Sequence, residues 1–405
     1  MSLFIAIIGL AFLILIHEAG HFFASLAVGM RPRSFNIGFG PPLAKVRRRG
    51  IEYAIRVIPL GGYVKIPGMH RPASKDVDVA FARALHAAPE LVGPAERLKR
   101  ALDGDDLGEA RRRLDEFDEA ATAAGVTGVE KHVQEIGDAL SPQAYWRAPT
   151  WKRITAILAG PATNFFFAVI AFAIVFAVAA GKATTSVERV LANRPAAVAG
   201  LKPGDQVSWI QVDSHKPVFI NTPSQITDVI SKSNGEPVVV GALRNGQPVT
   251  LRPVAAVKSD TGAYRLGFQL KAEPYPAGQA IWESLKTTGF VAKDTITSLG
   301  RIFHKKDREQ ISGTVGITNT LKDSVHYGWG SYLLLLGFIS LSLALLNLLP
   351  LLPLDGGHIA FSILEGIRGR AIAREIYERV SAIGIAVVLL LFFVGLSNDV
   401  GRLGG

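Results

Sequence analysis

Residues 2–28 form a nearly unbroken apolar run with three ionisable side chains set inside it, I-L-I-H-E-A-G-H-F-F from Ile14 to Phe23. As a helix, a run of this length crosses ~30 Å of hydrocarbon at ~1.5 Å per residue. Lipid offers no partner to a free backbone group, so helix is the conformation open to such a segment. On that helix His17 and His21 lie one turn apart on one face, where both imidazoles reach a single metal ion. Glu18 lies about 100° around the helix from His17, close enough to touch a water on such an ion without being a ligand. H-E-x-x-H on a helix is the arrangement of two zinc ligands and a general base. Such groups are costly at membrane depth without a task. The competing reading is a set of polar residues that hold helices together. By the same rise per residue His17 lies roughly 22 Å from Ser2, nearer the far side of the layer.

The chain has 405 residues, room for two or three domains. It is 49% hydrophobic with a mean hydropathy of +0.27, high for a soluble protein. It contains no Cys, so disulfides and thiolate metal sites are excluded and any zinc is held by His and carboxylate. The net charge of +10 does not point to a nucleic acid partner, because the basic residues cluster beside the apolar segments. That placement suits the lipid bilayer and its anionic headgroups.

In chain order the sequence predicts a polytopic α-helical membrane protein with four transmembrane helices. Residues 1–30 are the first span, expected to be retained because no basic segment precedes it and no cleavage site is clear. Residues 31–69 are basic (Arg31, Arg33, Lys45, Arg47, Arg48, Arg49, Arg56, Lys65), which puts them in the cytoplasm and the N-terminus outside. Their texture is strand and turn, with a turn at Arg49-Gly50. This hairpin either dips back into the membrane under cover of protein or is an ordinary cytoplasmic one. Residues 70–150 read as a cytoplasmic insertion of short amphipathic helices. Residues 151–181 form the second span behind a belt of Tyr145, Trp146 and Trp151. Within it A-G-P-A-T-N-F places Pro161 and Asn164 at depth, as a packing device or part of a substrate groove. Residues 182–275 are β-rich and external, with a hairpin turn at Asn245-Gly246. Their element order and the piece A-G-L-K-P-G-D-Q-V resemble PDZ domains of bacterial proteases, whose groove binds peptide tails as an added strand.

Residues 276–330 are a linker with an amphipathic stretch. Residues 331–360 hold the third span and N-L-L-P-L-L-P-L-D-G-G-H, where Pro350 and Pro353 break regular helix. Asp355 is a carboxylate about 23 residues into a span that crosses in the same direction as the first, so its depth matches that of His17. It is the expected third ligand. His358 ranks behind it, and a turn or cap role for Asp355 is the plain alternative. Residues 361–405 hold a basic patch and the fourth span.

HEAGH in a first span, AGPATNF in a second, one PDZ-like domain and NLLPLLPLDGG in a third together resemble the bacterial site-2 proteases of the regulator of sigma-E protease type. That resemblance covers almost the whole chain. It implies His17, His21 and Asp355 as ligands of Zn2+ and Glu18 as the catalytic glutamate. It implies substrate contacts at Asn164, Asn347 and Pro350, with the second proline of the motif shifted to Pro353. It makes residues 38–65 a membrane-reentrant β-hairpin that pairs with substrate. The expected activity is regulated intramembrane proteolysis at the bacterial plasma membrane, on single-span proteins such as anti-sigma factors or remnant signal peptides. The resemblance assigns no role to the insertion. Two rivals remain on residues alone. A PDZ-bearing scaffold has no need of Glu18, and a metal-dependent transporter is expected to show a repeat of spans, which is not found.

Overall fold

The computed structural model describes residues 1–104, 106–179, 181–258, 263–301, 313–326, 328–372 and 374–403. The chain divides into two units, residues 1–169 with 288–405, and residues 170–287. Thirteen helices are described: α1 Ser2–Ala27, α2 Ser74–Ala87, α3 Val92–Asp103, α4 Leu107–Ala123, α5 Glu130–Leu140, α6 Thr150–Val178, α7 Pro195–Ala199, α8 Pro223–Ser231, α9 Ala277–Arg301, α10 Thr314–His326, α11 Trp329–Asn347, α12 Asp355–Arg368 and α13 Arg374–Leu403. Among the described residues four helices are long and apolar enough to cross a membrane: α1, α6, α11 and, from Glu375 to Gly401, α13. Their outward faces carry exposed Phe4, Ile8, Phe166, Ile170, Leu390 and Phe393, side chains that suit lipid rather than water.

In the first unit α1 is the central element. Small residues let its neighbours approach, as in other membrane bundles. A Cβ on Gly20 would stand 2.4 Å from the Ala159 carbonyl oxygen of α6, so only glycine admits this contact. Polar groups complete the joints: Thr163 donates to the Ile16 carbonyl at 3.0 Å, and the Tyr332 hydroxyl of α11 to that of Ile5 at 2.8 Å.

Strands β1 (Ser34–Arg48) and β2 (Ile51–Lys65) follow α1, joined where Arg49 and Gly50 both have positive φ, the conformation of a tight hairpin turn. The register folds them into four legs. Residues 42–48 pair with 51–56, and 34–37 lie between two legs of β2, Phe35 opposite both Tyr53 and Val64. Among the described residues no strand pairs with the outer side of 62–65.

The insertion forms a small helical bundle. Helices α2 to α5 turn their amphipathic faces onto one core in which Phe81, Leu91, Leu98, Leu114 and Phe117 are fully buried. Burial of each such side chain is worth ~1.5–3 kcal/mol. Phe81 and Phe117 pack with their tilted rings 4.2 Å apart between centroids.

The second unit carries β3 (Lys182–Val190), β4 (Gln206–Val212), β5 (Val218–Phe219), β6 (Pro237–Arg244), β7 (Gln247–Thr250), β8 (Val254–Ala255), β9 (Val257–Lys258), β10 (Tyr264–Arg265) and β11 (Phe268–Glu273). The main sheet has the order β11-β3-β4-β6-β7 and is antiparallel. Its Val187, Val207, Ile210, Val238 and Val240 meet Ile226 and Ile230 of α8 in one core. Asn245 and Gly246 form the turn between β6 and β7, both at positive φ.

Candidate metal centre

Three elements converge on one point. Helix α1 supplies His17 and His21 from one face, each 7% exposed. Helix α11 ends at Asn347, and after Leu348–Leu354 the chain restarts as α12 with Asp355 in its first turn. Asp355 therefore sits at a helix N-terminus, where a carboxylate is favoured. Close packing admits no larger residue beside it, because a Cβ on Gly356 would stand 2.2 Å from the Leu348 carbonyl oxygen.

The distances form a nearly equilateral triangle. The Asp355 Oδ2 lies 3.1 Å from His17 Nε2 and 3.4 Å from His21 Nε2, and the two Nε2 atoms are 3.2 Å apart. Ligand atoms about 2.0–2.1 Å from a tetrahedral zinc stand about 3.3 Å from one another, so the spacing is that of zinc's own ligands. Proton bookkeeping agrees. The His21 Nδ1 faces the Ala156 carbonyl at 3.0 Å, an acceptor with no proton to give, so in the neutral imidazole that binds a metal Nδ1 carries the hydrogen and Nε2 presents a lone pair. The buried Asp355 Oδ2 has no hydrogen-bond donor. Lone pairs facing one another without a shared proton call for a cation, so the donor set fits zinc.

Behind His17, the Asn164 amide nitrogen is placed 3.4 Å from Nδ1 while its Oδ1 has no partner. Exchanging the two ends of the amide, which have the same shape, lets Nδ1–H donate to Oδ1 and resolves both. Asn164 is fully buried, and its carbonyl accepts from Ser340 Oγ at 2.9 Å.

The metal point opens onto a cavity of about 420 Å³ lined by Glu18, Gly62, Val64, Asn347, Pro353 and His358, among others. Glu18 lies beside the Val64 backbone amide of β2. Gly62 makes that approach possible, since a Cβ there would stand 3.0 Å from Glu18 Cγ. The structure thus brings Glu18, His17, His21, Asp355 and Asn347 together. It puts Asn164 behind a ligand rather than on the cavity wall, and Pro350 outside the lining, where Pro353 stands instead. His358 reaches the cavity but is not part of the triangle.

A family model described as Peptidase family M50 matches residues 5–391. The chain belongs to peptidase family M50. This M50 peptidase is 28% identical to the regulator of sigma-W protease RasP of Bacillus subtilis, over 96% of both chains. It is 28% identical to the zinc metalloprotease RasP of Shouchella clausii, over 99% of this chain and 98% of the other. It is 27% identical to the metalloprotease MmpA of Caulobacter vibrioides, over 97% and 94%. It is a multi-pass, zinc-dependent intramembrane metalloprotease.

Sequence reasoning passed over the groups that orient these side chains. Gly160 of α6 is one, because a Cβ there would stand 2.2 Å from His21 Nε2. The Ala156 carbonyl and the Val64 amide are backbone groups and leave no mark in a sequence. The glycine of A-G-P-A-T-N-F was the one visible signal, a small residue at a helix interface.

Proposed function

We propose that His17, His21 and Asp355 hold the catalytic zinc and that Glu18 is the general base for peptide-bond cleavage in single-span membrane proteins. The observation that carries this reading is the triangle of 3.1, 3.2 and 3.4 Å with Glu18 on the wall of the same cavity. Zinc bound there supplies an acidified water and polarises the scissile carbonyl. Glu18 takes the proton of the attacking water and returns it to the leaving amine. The Val64 amide stands beside its carboxylate, and Asn347 on the cavity wall holds the scissile backbone.

A substrate helix ties each carbonyl to the next turn, so it must unwind before cleavage. The outer side of 62–65 receives the unwound segment as an added strand. Residues 31–69 enter the membrane as a reentrant hairpin. In support, the bends around Phe39 to Leu43 and Val57 to Ile58 expose apolar side chains, while the opposite end of the sheet carries Arg47, Arg48 and Arg49. The unit around residues 182–275 is an external PDZ domain that admits substrates already trimmed outside, and residues 70–150 lie in the cytoplasm of a bacterial cell. The substrate class is single-span proteins such as anti-sigma factors and remnant signal peptides, the first in keeping with the RasP relative's description as a regulator of sigma-W protease.

The deciding experiment uses Glu18→Gln in liposomes with a model single-span substrate. Retained zinc with lost cleavage is the expected result. Continued cleavage with zinc in place overturns the reading and returns the chain to a scaffold.

A further inference from the structure

A second cavity, larger than the one at the metal point, lies where the chain leaves the edge strand. Its volume is about 720 Å³, within the ~300–1,000 Å³ of ligand-binding clefts. One wall is the run from Tyr63 to Pro72, and the other is made by α2 and α5 of the insertion through Val79, Ala80, His132, Glu135 and Ile136. Tyr63, Val64, Ile66 and Met69 line this cavity and the metal cavity alike, so the two adjoin along this run of chain.

The insertion is fastened to this run. The Tyr145 and Trp146 backbone amides donate to the Pro67 and Gly68 carbonyls, each at 3.0 Å. Arg33, just ahead of β1, grips Asp138 of α5 with two nitrogens, and Lys65 pairs with Glu135 at 2.5 Å. Gly68, at φ +64°, has Ala144 Cβ 2.6 Å from where its own Cβ would be, so the joint closes only on glycine. The wall is therefore held in fixed register with the strand that borders the metal centre. Val79 faces this space at 80% exposure. A large apolar side chain left open beside the apolar Ile66, Met69 and Ile136 is a ready contact for a partner's apolar residue.

We propose that this cleft receives the extended stretch of substrate that runs out of the metal cavity beyond the scissile bond, which makes the helical insertion the element that reads sequence there. The inference rests on the proteolytic reading above and adds a specificity surface to it. The occupant follows from the position of the cleft, next to the metal cavity along the same run of chain. A chain added to the outer side of 62–65 advances ~3.3 Å per residue and within a few residues passes from the metal cavity into this space. Its apolar floor and paired charged rim suit an apolar side chain flanked by polar ones.

The absence of native cysteine gives a direct test. Val79→Cys is made in the Glu18→Gln background, and single cysteines are walked along a substrate on both sides of its cleavage site. Disulfide formation confined to a window a few residues beyond the scissile bond is expected. Val79→Trp, in the otherwise native enzyme, should raise KM five- to tenfold more for a substrate carrying that stretch than for one cut short before it. Cross-links spread evenly along the substrate or absent from that window, or an equal KM change for both substrates, overturn the proposal. Should Glu18→Gln itself still cleave, the proteolytic reading fails separately, and the cleft proposal falls with it.

Discussion

Helix α12 is anchored near both ends by buried charge, and the two anchors are built on opposite principles. Near its C-terminal end Glu365, 8% exposed, meets Arg153 of α6, 5% exposed. The second Glu365 oxygen accepts from the Ile372 amide at 2.8 Å. Donors face acceptors and the opposite charges cancel, with the Arg153 Nε the one buried nitrogen of the pair that finds no partner. At its N-terminal end Asp355 faces two imidazole Nε2 atoms at 3.1 and 3.4 Å, and with the imidazoles neutral none of the three brings a proton. That cluster is complete only around a cation. Similar burial therefore hides two different jobs, and the charges that face one another separate them: a cation against an anion holds the helix, whereas a carboxylate against two imidazole nitrogens holds an ion.

The contrast can be broken at either end. The largest expected effect is on chemistry. Asp355→Ala should lose both zinc and activity, read by metal content and by cleavage in liposomes. Glu18→Gln should keep stoichiometric zinc and lose cleavage by roughly 10²–10⁴-fold, the usual worth of a positioned general base. Stability should respond the other way. Glu365→Ala strands Arg153 and should cost about 3–5 kcal/mol, seen as a lower unfolding midpoint in detergent. Asp355→Leu in zinc-free protein should cost little or even stabilise, because it removes one of three mutually unpaired groups. If that substitution destabilises the zinc-free protein as much as Glu365→Ala does, the distinction between the clusters is wrong.

Asn164 tests how far the unbalanced cluster extends. Asn164→Leu should weaken zinc about 10–100-fold in chelator competition, as expected when a partner of a ligand imidazole is lost, whereas Asn164→Asp should retain most of the affinity.

The smallest effect is expected at a balanced pair in the second unit. Arg244 grips Asp205 with two nitrogens at 2.8 and 2.7 Å. Burial pushes the Asp205 carboxyl up, but the Arg244 fork and the Lys202 amide outweigh it and hold the group below the usual carboxylate range. A lowered folded-state value means the pair's stabilisation is in full force above the unfolded value of ~3.9 and fades as pH falls through the folded one. Asp205→Asn should accordingly lower the unfolding midpoint of this unit at pH 7 by a few degrees and flatten its loss of stability below pH 4. An unchanged acid limb would show that Asp205 contributes nothing.

Much of this was legible beforehand because membrane depth narrows what a sequence can mean. An apolar run must be helix, so the phase of His17, Glu18 and His21 followed from spacing alone. Asp355 could be matched to them by counting residues into its own span. The strand texture of residues 31–69 was equally plain, and Arg49-Gly50 marked its turn. Asn164 stands out in the sequence as a polar residue at depth, but its place behind His17 rather than on the cavity wall follows only from how α6 packs on α1. Pro350 and Pro353 were both visible, yet which of them lines the cavity depends on the path of an irregular segment. The insertion shows in the sequence only as amphipathic helices, since nothing local tells which face meets a distant partner such as Lys65 or Arg33.

The sequence by itself determined the spanning helices and the chemistry placed within them, because period and hydrophobicity act locally and lipid leaves the backbone one choice. Only the tertiary structure decided which groups meet. The Ala156 carbonyl on His21, the Val64 amide on Glu18, the Arg153–Glu365 anchor and the cleft under the insertion all join residues distant in the chain. Two of these contacts are made by backbone atoms, which every residue carries and no sequence distinguishes.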